Sequence, residues 1–316
     1  MRNFLNLMKN EQIKLFSRFA TWSMFIIIAV IIIASGIITF IFDDFVTKDY
    51  GDNWRTELQE ENADFEEMME GEYMEGAYTG EIERNNYHLE NDIKPSSYDG
   101  WQFTLDNAGL SMMISLFTII IAAGMIASEF RWGTIKLLLI RPISRTKIMF
   151  SKYATVLLFA LSMLIFLFVI NLIVGAIFFG INGLNPTFVQ STMSGFQEVG
   201  IMKEIFTEYG LQMIKLVMMA TFAFMISSLF RNSGMAIGLA IFLMFAGNMI
   251  VGVLSQYEWS KYILFANTDL SQYQADRHPM IEGMTMGFSV TILVIYYIIF
   301  LAVSWIAFTK RDVAGN

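Results

Sequence analysis

The residues best suited to specific chemistry are two carboxylates set among cations. The segment 128–152, SEFRWGTIKLLLIRPISRTKIMFSK, holds six basic residues and one acid, Glu129. The first eighteen residues hold four basic residues and one acid, Glu11. A lone carboxylate in such company is built for an ion pair, and Arg131 and Lys136 are local candidates for Glu129. Other chemistry is thinly represented. The chain has no cysteine, so thiol nucleophiles, disulfides and Cys-based metal sites are excluded. His88 and His278 both fall in loops, away from any nucleophile–base pair. No G-x-x-x-x-G-K-S/T stretch is present, so this chain does not bind ATP through a P-loop. Met68, Met69 and Met74 could offer soft-metal ligands. With 23 methionines spread along 316 residues, they are read instead as part of an acidic, solvated cap. No metal, cofactor or catalytic constellation is expected in this chain, and it is not expected to be an enzyme.

The elements that carry these residues are set by hydropathy. Apolar residues make up 55% of the chain, and the mean hydropathy is +0.51. A bilayer core of ~30 Å needs roughly 20 consecutive apolar residues in a helix. Only helices and closed barrels satisfy their backbone polar groups there. Uncharged runs without period-2 alternation predict six transmembrane helices at about 19–42, 107–127, 153–180, 209–230, 235–254 and 286–308. The first is too long for a signal-peptide core and lacks a small-residue cleavage site. Trp22, Trp101, Trp132, Tyr153, Tyr209 and Trp305 fall at expected span ends, where amphipathic rings favour the headgroup zone. Lys215 is the one ionisable group inside an expected span, near its end, where it can snorkel. Asn171 and Asn248 read as helix–helix glue.

Charge predicts orientation. The segments 1–18, 128–152, 231–234 and 309–316 contain thirteen of the 21 basic residues and only the acids Glu11, Glu129 and Asp312. The intervening segments 43–106, 181–208 and 255–285 contain seven basic residues and 26 acids. The positive-inside bias places the first set, with both termini, in the cytoplasm. Residues 1–18 have helical apolar spacing through Phe4, Leu5, Met8, Leu15 and Phe16 and read as an interfacial helix. Residues 19–316 are expected to form one six-span transmembrane domain. Within its acidic outer loop 43–106, Trp54, Leu58, Phe65, Met69 and Tyr73 predict an amphipathic helix ended by Gly76 and Gly80. Its apolar stripe needs cover from another loop, a second subunit or the membrane. The 255–285 connection mixes charges with Tyr257, Trp259 and Tyr262, and is expected at or dipping into the outer interface.

The segment 128–152 also has an ordered grammar. Glu129 ends a span, Gly133-Thr134 breaks it, and a short apolar helix Ile135–Ile140 is expected with Thr134 as its cap. Arg141-Pro142 stops that helix, and Ser144-Arg145 opens the next. Lys147 and Lys152 read as ordinary positive-inside residues. Leu137, Leu138 and Leu139 are too apolar for cytosol and need a membrane face or a partner.

In Glu129, Gly133-Thr134, Arg141-Pro142, Ser144-Arg145 and Lys152, and in the NEQIKL stretch around Glu11, the sequence resembles the ABC-2 family of ATP-binding-cassette permeases. It is most similar to the bacterial branch linked to resistance to bacitracin and other peptide antibiotics. The resemblance implies an all-α fold of six spans, an N-terminal interfacial helix and a cytoplasmic coupling helix between spans two and three. It also implies two permease copies, identical or paralogous, in the cell membrane, paired with separate ATPase subunits that carry ATP and Mg. Glu11, Glu129, Arg131, Gly133, Thr134, Arg141, Pro142, Ser144 and Arg145 would then couple to the ATPase, with the two glutamates as candidates for ion pairs to it. Membrane lipid is an expected partner and nucleic acid is not. The cargo would be a peptide antibiotic, lipid or amphipathic drug. The 43–106 loop is longer than the minimal family pattern. Two rival expectations stand beside export: a sensor or immunity protein that binds cationic peptides through its acidic loop, and a channel.

Overall fold

The computed structural model describes residues 2–42, 48–69, 76–134, 143–192, 195–230, 232–274 and 277–310. Its main elements are helices: α1 (Arg2–Phe16), α2 (Phe19–Phe42), α3 (Trp54–Met69), α4 (Thr79–Glu90), α5 (Gly100–Asp106), α6 (Ser111–Arg131), α7 (Arg145–Phe179), α8 (Ile201–Leu229), α9 (Ser233–Leu254), α10 (Leu264–Asn267) and α11 (Met286–Lys310). One antiparallel hairpin, β1 (Thr187–Thr192) and β2 (Gly195–Gly200), interrupts them. Among the described residues, six helical stretches are long and apolar enough to cross a bilayer: α2, α5–α6 together, α7, α8, α9 and α11. All six coincide with expected spans, although α7 and α8 run past their apolar runs by about eight residues at the N-terminal end.

Burial sorts the spans into a centre and a rim. The most apolar windows of α8 and of α5–α6 are 67% and 56% buried, against 17–22% for α2, α9 and α11. The inner helices α6, α7 and α8 pack on one another, α2 leans on α7, α9 on α6 and α8, and α11 on α8. On α2 the buried residues Met24, Ile28, Ile32 and Gly36 recur every four positions. The remaining surface is bare hydrocarbon, including Ile26, Val30, Ile33, Ile37 and Ile41. Water would not tolerate such a belt, and lipid does. Backbones approach closely at Gly100 of α5 and Gly175 of α7. A Cβ on Gly175 would lie 2.8 Å from the Gly100 Cα, so no larger residue fits either position without moving a helix.

The face away from the N-terminus carries the small ordered structures. Asp99, buried, caps α5 through one carboxylate oxygen, which accepts from the Trp101 and Gln102 amides at 3.0 and 3.1 Å. Its other oxygen accepts from the Asn182 amide at 3.0 Å and joins two loops. The expected helix in 43–106 is present as α3, but it ends by Met69, and Tyr73 lies outside the described residues. Gly76 forms a turn at φ +79°, and Gly80 is the second residue of α4 rather than a terminator. The cover for the α3 stripe is thus α4 and its lead-in: Phe65 stacks on Tyr78 at 4.9 Å, and Asn85 donates to Glu61 and Asn62. Residues 258–273 form short helical turns packed on the ends of α9, α8 and α11 at this same face. There Phe265 fills the space left by Gly247, and buried Asn267 accepts from Ser289 at 2.7 Å.

His88 locks this small domain. Its Nδ1 donates to the Ile93 carbonyl at 2.9 Å. Burial holds the imidazole below its usual 6.5, and the Arg84 charge pushes the same way. The unfolded segment therefore takes up a proton before the folded one, so stability is full above about 6.5 and drains as pH falls towards the lower folded value. Hydrogen exchange of α3 and α4 should show extra opening in wild type as pH drops through that window, and none in His88→Asn. Identical pH profiles for the two proteins would contradict this role.

Candidate functional site

At the N-terminal face, α1, α6 and α7 meet around one buried lysine. Lys152 lies two turns into α7 and is 1% exposed. Its Nζ is 2.8 Å from Glu11 Oε2 and 3.0 Å from Glu129 Oε1. Glu129, itself 2% exposed, is also held by Lys14 Nζ and by the Thr134 hydroxyl. Two carboxylates and two ammonium groups thus form a neutral quartet. Helical spacing makes this possible: Glu11, Lys14 and Leu15 share a face of α1, while Ile148, Lys152 and Thr155 share a face of α7. Gln12 adds a bond to the Thr155 carbonyl at 3.3 Å, and buried Leu15 seats the same face in the core.

The end of α6 is shaped to return Thr134 to Glu129. Trp132 caps the helix, and Gly133 takes φ +70°, a left-handed turn open to glycine at little cost. The Gly-Thr break is therefore real, but the Thr134 side chain is directed back to Glu129. The expected helix 135–140 lies outside the described residues, as do Lys136, Arg141 and Pro142. Arg131 donates to Ser233 at 3.3 Å and ties α6 to the start of α9, so it is not the partner proposed for Glu129. Ser144 caps α7 by accepting from the Lys147 amide at 3.4 Å. Arg145 donates to the Thr309 carbonyl at 2.9 Å, joining α7 to the last turn of α11. Trp305 donates to Thr146 at 3.1 Å beside it.

Sequence reasoning selected Glu11, Glu129 and Thr134, read Lys152 as an ordinary positive-inside residue that also carries the family resemblance, left Lys14 to lipid headgroups and passed over Gln12. The readable signal was the placement of Lys152 between Ile148 and Val156, on the side of α7 that carries Thr155 and Phe159. A cation on that stripe must be buried with a counter-ion. In this arrangement the four charges satisfy one another. Among the described residues no group of three or more His, Asp or Glu side chains is placed to hold a metal. What it supplies is stiffness: α1 cannot leave α6 and α7 without stranding buried charge.

Each buried ion costs several kcal/mol to desolvate, and breaking one partner of a buried pair typically costs about 3–5 kcal/mol. Lys152→Met should therefore lower stability by about that amount, with part of the loss recovered in Lys152→Met/Glu129→Gln. A double-mutant cycle by unfolding in mild detergent reads the coupling. Additive single effects would show that the quartet is not a unit.

These features define a multi-pass α-helical membrane protein with a charged clamp at one face. Residues 78–314 match the family described as "Protein of unknown function (DUF2705)", and the chain belongs to it. It is 42% identical over 316 residues to the "Uncharacterized protein YhcI" of Bacillus subtilis (strain 168), covering 98% of this chain and 100% of that relative. It is also 34% identical over 208 residues to the "Uncharacterized membrane protein YdbK" of the same organism, covering 65% of this chain and 79% of the relative.

Proposed function

We propose that this protein is the permease subunit of an ATP-driven exporter of the ABC-2 type, working as a pair of copies with separate ATPase subunits. The observation that carries the reading is the quartet: it fastens an amphipathic N-terminal helix to the start of the basic 128–152 segment and to the third span. A push delivered to that segment from outside the bundle would move α1, α6 and α7 as one body. The reading places α1 at the cytoplasmic interface of the cell membrane, with both termini inside. Glu129 and Glu11 act there as internal ties rather than as contacts to the ATPase. Arg141, Pro142 and the 135–140 stretch are left as the surface that meets it. The scarcity of ionisable groups within the apolar stretches agrees with an energy source in another subunit.

The test is co-purification with an ATPase encoded beside it, followed by ATP-dependent export from proteoliposomes. Arg141→Ala should leave membrane insertion intact and cut coupled ATPase activity by about tenfold, the equivalent of ~1.4 kcal/mol. A lone cysteine at Ser97 should react with an impermeant thiol reagent on intact cells, and one at Ser144 should not. Full protection against a cationic peptide after deletion of the ATPase would favour a sensor, and ion flux without ATP a channel.

A further inference from the structure

The quartet borders a cleft of about 220 Å³ that its own chemistry does not use. One wall is the α1–α2 corner, the floor is α6 and the other wall is the start of α9. α2 packs on α7 while α9 packs on α6 and α8, so the two helices that flank the cleft lean on different parts of the bundle, and both carry exposed apolar side chains beside it. Its throat is apolar, through Met24, Ile121, Met125 and Ile237. Gly124 leaves the floor bare: a Cβ there would meet only the Ile237 Cδ1, at 3.8 Å.

The mouth of the cleft is cationic. Glu11 and Glu129 border it, but both are held by Lys152, and Glu129 also by Lys14 and Thr134. Arg18 has no carboxylate partner among the described residues. Its guanidinium lies 5.8 Å over the Trp132 ring, with its charge exposed at the opening. Lys14 is 43% exposed, and Glu129 keeps two other partners if the Lys14 ammonium turns outward. An arginine resting on an indole, above a throat of aliphatic side chains, matches an ester of phosphate attached to a hydrocarbon chain.

We infer that this cleft binds one anionic phospholipid of the surrounding leaflet, with its phosphate on Arg18 and Lys14 and the first part of an acyl chain over Gly124. The rest of the chain lies along the exposed apolar flanks of α2 and α9. Since Lys14 is shared between the lipid and Glu129, the headgroup bears directly on the tie between α1 and α6. The inference stands on the cleft and holds whatever the partner at this face.

Native mass spectrometry of the detergent-purified full chain, titrated with phosphatidylglycerol or phosphatidylcholine, tests it. One phosphatidylglycerol should be retained per chain, with about fivefold preference over phosphatidylcholine. Arg18→Gln should erase the preference and Arg18→Lys keep most of it, while Gly124→Leu should abolish retention of either lipid. Thermal unfolding in lipid-free detergent verifies that each variant is folded, and the Arg18→Lys and Arg18→Gln pair decides the matter if Gly124→Leu is not. Equal retention of the two lipids, or unchanged retention in both Arg18→Gln and Gly124→Leu, overturns the inference. So does full displacement by soluble glycerol phosphate, which would mark an anion site without a lipid. A disulfide between copies carrying Gly124→Cys, formed in native membranes, would assign the cleft to a second copy and overturn it as well.

Discussion

A lysine ammonium taken out of water must find its counter-charges inside the protein, and at the N-terminal face that requirement fixes where three helices go. Lys152 draws Glu11 from α1 and Glu129 from α6 to the same point on α7. Hydrophobic packing alone would let a short helix such as α1 slide or detach, since much of its surface, including Leu5 and Ile13, is exposed. The ion pairs set its register, and Gln12 and Leu15 hold it there. Direction in the membrane plane comes from the same place, because α2 begins three residues after α1 ends. The Thr21 hydroxyl donates to the Leu15 carbonyl at 2.7 Å across that corner.

The opposite face follows a different logic. There the acids outnumber the bases, and order is kept by caps and small side-chain networks: Asp99 on three backbone amides, Asn85 between Glu61 and Asn62, and Lys215 with Asp269 at 2.9 Å. The Lys215 pair lifts Asp269 acidity, holding its carboxyl below the usual range despite burial. A cavity of about 630 Å³ lies beside that pair, between the α5–α6 junction, β1 and α8. Caps and side-chain networks thus order one end of the molecule, and a buried ion-pair joint orders the other.

Much of this was legible in the residues. Apolar runs located all six long apolar helices among the described residues, because a bilayer demands sustained length and hydrophobicity, and α2 spans the expected 19–42. Hydropathy alone hides the extra turns of α7, since Arg145, Lys147 and Lys152 look like a loop to any such average, but the Ser144-Arg145 helix entry marked where the helix starts. Those residues belong to a helix of 35 residues, about 52 Å long. The β1–β2 hairpin was missed because TFVQST and GFQEVG are short, half-exposed and paired only with each other. The second loop helix was missed because Gly80 reads as a stop, whereas a glycine in the first turn of a helix is tolerated. At the site, residue type pointed to Glu11 and Glu129, but pairing depends on which faces meet, and that is a property of the packed helices.

Hydrogen exchange along α1 tests most directly whether buried charge fastens this helix to the bundle. In Lys152→Gln the α1 amides should exchange roughly a hundredfold faster than in wild type, as loss of about 3 kcal/mol of local stability requires. The mid-span amides of α6 and α8 should stay protected. Equal protection of α1 in the two proteins would contradict the account and leave packing, not charge, as what holds it.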